Sequence, residues 1–368
     1  MSLISVQKTP GYNPALLRQA VDAHFAALRV EEDLFPGMRV LLKPNLLAGR
    51  KPEQAVTTHP ALIQAVADWL RERGVEEITL ADSPGGPYNE ALLRSVYRAS
   101  GMDGLRGVTL NLSAGYAPAE QPEGKVCRRF DLIDPVRQAD YIINLPKVKT
   151  HGMTMVSLGI KNLFGTVPGL GKPALHCRYP GWDVFAGMLL DLSALVAPAV
   201  TLVDGVLAME GDGPGGGDPR ELGYTFASRE LYTLDWFLAG SVMGLRPEEI
   251  PMLRQARERG WVELAPRITG DAIGEIPPFV RPRTQSADFA DRLPGVLRGP
   301  AKALLGRVFR PKPRVLAAKC VGCGRCAESC PQQIITIREG KARIDLGRCI
   351  SCFCCQEMCP VKAIEGKR

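Results

Sequence analysis

Nine of the chain's 11 cysteines fall between Cys320 and Cys359, and eight of them stand in two copies of one spacing. The first copy is Cys320-x2-Cys323-x2-Cys326-x3-Cys330-Pro331. The second is Cys349-x2-Cys352-x2-Cys355-x3-Cys359-Pro360. Both fit C-x2-C-x2-C-x3-C-P. Three thiolates two residues apart wrap one iron–sulfur cube corner by corner, and the fourth reaches the other cube. One cluster is thus expected on Cys320, Cys323, Cys326 and Cys359, and a second on Cys349, Cys352, Cys355 and Cys330. Zinc takes four ligands, usually from paired C-x2-C units, and has no use for a third cysteine in each run. Cys354 fits no ligand slot and reads as a small buried thiol. Between the copies, Ile334–Ile344 alternates around Glu339-Gly340, the signature of a hairpin.

This stretch resembles the bacterial-type ferredoxins with two [4Fe–4S] clusters, a resemblance confined to about the last 50 residues. Disulfides are not expected. The first residues lack a basic segment followed by an apolar one, and no apolar run is long enough to span a bilayer, so the expected compartment is the cytoplasm, where thiols stay reduced.

A second group of residues with chemical potential lies in Tyr141–Trp182. It holds Lys147, Lys149, Lys161, Lys172 and Arg178, with His151 and His176, and no Asp or Glu. Cations gathered behind an apolar strand need compensation. Either an anionic ligand supplies it, or acids from elsewhere do, such as Asp82, Asp204 or Glu210. Imidazole titrates near neutrality, so His151 or His176 is a candidate proton donor. The candidate ligand-binding set is Lys43, Asn45, Asp82, Ser83, Lys147, Lys149, Lys161, Asn162, Lys172, Asp204 and Glu210. The runs Ser83–Gly86 and Gly211–Gly217 are glycine-rich but match no phosphate-binding pattern, and they read as turns.

The elements that must position these residues alternate between strand and helix, the pattern of an α/β domain with a mixed or parallel sheet and flanking helices. Strands are expected over Met38–Pro44, Glu76–Asp82, Asp140–Pro146 and Ala199–Gly205. Helices are expected from Asn13-Pro14 to about Leu28, from His59-Pro60 to Arg73, over Tyr88–Ser100, Trp182–Val196, Glu230–Met243 and Pro247–Arg259. The polar candidates cluster just after strands, and open α/β sheets bind ligands at the strand carboxyl ends.

The 368 residues, 45% hydrophobic and 23% charged, suit a large α/β domain at 1–274, a Pro/Arg-rich linker at 275–315 and a small α+β ferredoxin-like domain at 316–368. The net charge of +7 resides in the linker, where Arg281–Arg314 holds nine Arg/Lys and two Asp. Nucleic acid is therefore not an expected partner: the charge belongs to one segment, with two phenylalanines and no stacking motif. Within the linker, Leu293–Phe309 carries an apolar stripe beside Arg298, Lys302 and Arg307. It reads either as a core-facing helix or as a surface for a membrane or an acidic protein.

Taken in order, Leu42-Lys43-Pro44-Asn45, Thr57-Thr58-His59-Pro60, Asp82-Ser83-Pro84-Gly85, Asn144-Leu145-Pro146-Lys147-Val148-Lys149-Thr150-His151, Lys161-Asn162-Leu163-Phe164-Gly165 and Asp204–Pro214 resemble the prokaryotic family called domain of unknown function 362, often joined to a C-terminal pair of [4Fe–4S] clusters. That resemblance implies the architecture and the clusters, and no substrate. The expectation from the residues is an iron–sulfur reductase that passes low-potential electrons to a small anionic molecule or cofactor, with a protein redox partner. The alternative is a carrier or assembly factor that delivers electrons to another protein.

Overall fold

A computed structural model describes residues 1–283 and 311–367. The helix expected over Leu293–Phe309, and with it most of the linker, lies outside the described residues.

The strands are β1 (Leu3–Lys8), β2 (Arg39–Pro44), β3 (Glu77–Leu80), β4 (Thr109–Leu110), β5 (Tyr116–Glu120), β6 (Arg129–Ile133), β7 (Tyr141–Leu145), β8 (Lys147–His151), β9 (Met155–Ser157), β10 (Val200–Glu210), β11 (Asp218–Ser228) and β12 (Arg267–Gly270). All but β5 and β6 belong to one mixed sheet, ordered β12-β1-β11-β10-β7-β2-β3-β4, with β8 and β9 branching from β10. The half from β10 to β4 is parallel, and β10, β11 and β1 are antiparallel neighbours. The four expected strands are present. The sequence reading did not anticipate β1, β8, β9 or β11, because these strands carry polar residues into buried positions and so break the apolar pattern.

Helices α1 (Pro14–Ala27), α2 (Pro60–Arg71) and α3 (Glu90–Ser100) cover one face of the parallel half. Their starts follow the sequence. The Asn13 side chain accepts from Ala15 N at 2.9 Å, the His59 ring accepts from Ala61 N at 3.2 Å, and both helices begin on proline. Leu17, Val21, Phe25, Leu62, Val66, Trp69 and Leu70 pack there against Val40, Leu42 and Ile143. The other face is covered by α4 (Trp182–Val196), α5 (Leu231–Phe237) and α6 (Pro251–Glu258), which form a second core with Phe164, Phe185, Leu189 and Phe226. The helix expected over Glu230–Met243 is α-helical to Phe237 and then widens into a π-turn over Leu238–Val242.

Residues 311–367 form the small cysteine-rich unit. Two short antiparallel sheets, Lys312–Val315 with Ile364–Lys367 and the hairpin Ile335–Arg338 with Lys341–Ile344, enclose it. Glu339 and Gly340 both take positive φ at the tight turn of the second, as the Glu-Gly pair suggested. The ends of the region read as a linker are tied down. Lys312–Val315 pairs within the small unit, Val280 N donates to Glu210 at 3.0 Å, and Arg283 pairs with Asp212. Backbone pairing, which composition does not report, accounts for the difference. No helix among the described residues is long and apolar enough to cross a membrane.

Candidate functional site

β7 ends at Pro146, which cannot continue the ladder, and the chain restarts as β8 beside β10. Side chains of a strand alternate, so Lys147, Lys149 and His151 share one face, each pair about 6.5 Å further along. That face leads from the sheet toward the small unit.

The five lysines then divide. Lys43 Nζ stands 2.9 Å from Asp82 Oδ1 and donates to the carbonyls of Pro44 at 2.8 Å and Asn162 at 3.1 Å. Asp82 is completed by Leu46 N at 2.7 Å. Lys147 Nζ donates to Asp204 Oδ2 at 2.9 Å and to Tyr12 Oη at 2.8 Å. Tyr12 in turn donates to Asp204 Oδ1 at 2.8 Å, and His59 N donates to Oδ2 at 2.9 Å. Lys43 and Lys147 are fully buried in these closed networks, and neither lines the main cavity. Burial lowers both ammonium pKa values while the paired carboxylates oppose the shift.

Lys149, Lys161 and Lys172 instead line one cavity of about 90 Å³. Asn45, Asp82, Ser83, Asn162, His151 and His176 share its wall. Lys149 Nζ donates to Asn45 Oδ1 and Val56 O, both at 2.9 Å. Lys172 Nζ spends itself on Ser83 O at 2.9 Å, Ser83 Oγ at 2.8 Å and Val167 O at 2.9 Å. Lys161 lies 4.7 Å from the centre of the Phe164 ring and has no hydrogen-bond or ion-pair partner among the described residues. It rides on the turn Gly159–Asn162, whose leading amides Gly159 N and Ile160 N both donate to buried Asp235 at 2.8 Å. Burial and the neighbouring Lys161 bring Lys149 down to about 7, and burial brings Lys172 to about 7.

The opposite wall comes from the small unit: Ser329, Cys354, Glu357 and Met358. Glu357 Oε1 lies 3.2 Å from His151 Nε2, close but not aligned as a hydrogen bond. The other ring nitrogen, Nδ1, accepts from Met153 N at 3.1 Å, which puts the proton of the neutral ring on Nε2. Burial pushes the His151 pKa down and that of His176 to about 3, so both rings are neutral at physiological pH. His176 stacks on Phe185 at 4.2 Å.

The glycine-rich runs read as turns are where the small unit seats. A Cβ at Gly85 would fall 2.3 Å from Met358 Sδ, and one at Gly215 would fall 3.1 Å from Glu357 O. Lys362 Nζ donates to Gly217 O at 2.8 Å, Arg50 to Cys359 O at 3.2 Å, and Gln332 to Cys177 Sγ at 3.2 Å.

Of the candidates named from sequence, the structure brings Asn45, Asp82, Ser83, Lys149, His151, Lys161, Asn162, Lys172 and His176 together. It does not bring Lys43, Lys147, Asp204 or Glu210 to the cavity. Glu210 pairs with Arg220 at 2.6 Å, away from it. The compensation expected for the cationic segment is thus divided: Asp82 and Asp204 neutralise the two lysines nearest the sheet, and Glu357 faces the rest. Glu357, Cys354 and Met358 were missed. The surplus cysteine beside a cluster motif was the one hint of them.

Within the small unit all cysteines are free. Cys320, Cys323, Cys326 and Cys359 ring one cavity, and Cys330, Cys349, Cys352 and Cys355 ring another. These are the two quartets that the spacing assigned. Four thiols around a cavity, backed by Ile334, Ile335, Ala363 and Ile364, are a donor set that fits a [4Fe–4S] cube. Among the described residues no three His, Cys, Asp or Glu side chains converge to hold a single metal ion.

An α/β body carrying such a cysteine unit defines the class: an iron–sulfur electron-transfer protein with a [4Fe–4S] ferredoxin-type domain. Residues 319–363 match the 4Fe-4S dicluster domain. The chain belongs to the domain of unknown function 362 family, which residues 40–240 match. It is 34% identical over 251 residues to the thylakoid-associated protein sll1697 of Synechocystis sp., covering 64% of this chain and 72% of that one. Two solved structures match parts of the chain at 12% identity. One is a Thermotoga maritima protein, with a TM-score of 0.35 over 61% of this chain and 57% of that one. The other is the lactate racemase apoprotein of Thermoanaerobacterium thermosaccharolyticum, with 0.39 over 63% and 55%. The chain thus spans little more than half of each, and neither likeness carries an argument about function.

Proposed function

We propose that the protein is a reductase in which two [4Fe–4S] clusters, one per cysteine quartet, serve a small anionic molecule held between the α/β body and the small unit. The observation that carries this reading is the shared cavity. Three lysines line it from one side, and from the other come side chains adjacent to the cysteines, with Cys354 beside Cys355 and Ser329 beside Cys330. When bound, the clusters supply single electrons at low potential.

The protein's own residues do the rest. Lys149, Lys161 and Lys172 set a positive field in a site screened from water, where charge acts more strongly than in bulk solvent. Asn45 and Ser83 fix the ammonium groups of Lys149 and Lys172. The neutral Nε2–H of His151 is placed to hand a proton to a reduced ligand. Met358, seated on Gly85, helps to close the cavity.

The test uses anaerobically purified protein. Iron of about eight per chain and rapid reoxidation of the reduced protein by a small anion, slowed in Lys161→Ala, are expected. Iron far below that figure, or no anion that reoxidises the protein in a Lys161-dependent way, sinks the reading.

One observation favours a carrier role as a second reading. Cys323 and its neighbours Val321, Ile337 and Val361 are exposed, an apolar patch suited to a protein redox partner. If a partner protein is reduced at the same rate by Lys161→Ala and by the unaltered chain, the carrier reading stands in place of the reductase.

A further inference from the structure

The unspent polar atoms around the cavity describe a ligand more closely than "anionic" does. Lys172 has three acceptors for its three hydrogens and can offer only charge. Lys149 has two acceptors and keeps one hydrogen free. Lys161 has none of its hydrogens accepted, and His151 Nε2–H is buried without a hydrogen-bond partner. Against these donors stand two carboxylate oxygens without a hydrogen bond, Glu357 Oε1 and Asp82 Oδ1. Asp82 Oδ1 is already ion-paired with Lys43 at 2.9 Å, and its Oδ2 accepts from Leu46 N, which leaves Glu357 as the carboxylate without a lysine of its own. A buried ring N–H and a half-buried ammonium left unpaired cost free energy, so this imbalance marks a place for acceptor atoms. The charge balance agrees, because of the two carboxylates on the wall Asp82 is already paired with Lys43, which leaves three ammonium groups and Glu357. A space of 90 Å³ holds on the order of six water-sized groups.

We infer that the cavity binds a small dianionic oxyanion of roughly four to eight non-hydrogen atoms. Its oxygens accept from Lys161, Lys149 and His151 Nε2–H, and the small unit completes the site through Glu357. An inorganic oxyanion and a short dicarboxylate share this chemistry. A monoanion leaves donors unspent. This inference rests on the reading of the cavity as the ligand site, but it makes no claim about electron transfer.

The experiment is calorimetric titration of the oxidised, iron-loaded full chain with phosphate, sulfate, oxalate and malonate, with acetate as the monoanion. At least one dianion is expected to bind about tenfold or more tightly than acetate, and Lys161→Gln is expected to weaken it by about tenfold or more. Lys161→Arg should retain most of the affinity. Lys51→Gln, the same charge change at an exposed site, should leave it unaltered. A preference for phosphate and sulfate over oxalate and malonate identifies the inorganic source, and the reverse identifies the organic one. Should Lys161→Gln lose iron, Glu357→Gln gives an independent reading, because removing the carboxylate that has no lysine partner of its own must tighten dianion binding. No preference over acetate overturns the inference, as does an unchanged affinity in Lys161→Gln or Glu357→Gln protein that keeps its iron. A dianion that binds by these criteria yet fails to reoxidise the reduced protein removes the reductase reading and leaves this one intact.

Discussion

Lys43 and Lys147 differ from Lys149, Lys161 and Lys172 in company more than in burial: Lys149 is as fully buried as they are, and Lys161 and Lys172 are half-buried. The first two meet carboxylates at 2.9 Å and have those contacts completed by carbonyls or a tyrosine hydroxyl. The other three meet amides, carbonyls, a hydroxyl or an aromatic ring, and no carboxylate lies within ion-pair distance. Lys147 comes from the same basic segment of sequence as Lys149, Lys161 and Lys172. The contrast teaches that a buried cation is a structural part when its counter-charge is built into the same domain. It becomes a binding part when the counter-charge is left to a ligand or to another unit.

The largest way to break that contrast is to leave one partner of a closed pair alone. Asp204→Ala strands Lys147 in the body of the domain and should cost about 3–5 kcal/mol of stability, read as a lower urea midpoint. The double variant Lys147→Met/Asp204→Leu should recover much of that loss. If Asp204→Ala is tolerated without a shift, Lys147 is not the closed pair described here.

A mid-sized effect sharpens the other side. Lys149 and Lys172 sit at about 7, so they carry full charge below neutrality and lose it above. Lys149 faces Lys161, Glu357, Lys147 and Asp82, and Lys172 faces Asp82, Lys43 and Lys161. Oxyanion affinity should therefore be highest below about pH 7 and fall as the pH rises. Bound anion moves the fall upward, because it favours the charged ammonium. Titrations at several pH values check this, and affinity that rises with pH would contradict it.

The smallest effect concerns support. Asp235 accepts both leading amides of the turn that carries Lys161, and burial pushes its carboxyl up to about 7 against those two bonds. Asp235→Asn keeps the shape but replaces one acceptor oxygen with a donor. It should cost about 1–3 kcal/mol and weaken anion binding by a few-fold, whereas the pair Lys147–Asp204 should be unaffected. Equal binding in that variant would show that Lys161 is positioned by other contacts.

Much of this protein is readable along the chain. The cysteine triplets follow from spacing alone, because residues three apart share local geometry, and the duplicated motif pairs each triplet with the fourth cysteine of the other copy. The strands β2, β3, β7 and β10, the proline-led helices and the Glu339-Gly340 turn are also local, each set by a few neighbouring residues. What the tertiary structure decided is which lysine meets which acid. Lys147 and Asp204 are 57 residues apart, and His151 and Glu357 are separated by more than half the chain. No local pattern encodes such a meeting. Only the seating of the small unit on Gly85 and Gly215 brings Glu357 and Cys354 to the lysines. Spacing determines a metal site because its ligands are near in sequence. A cavity between two units depends on how they pack, and packing is a property of the folded chain.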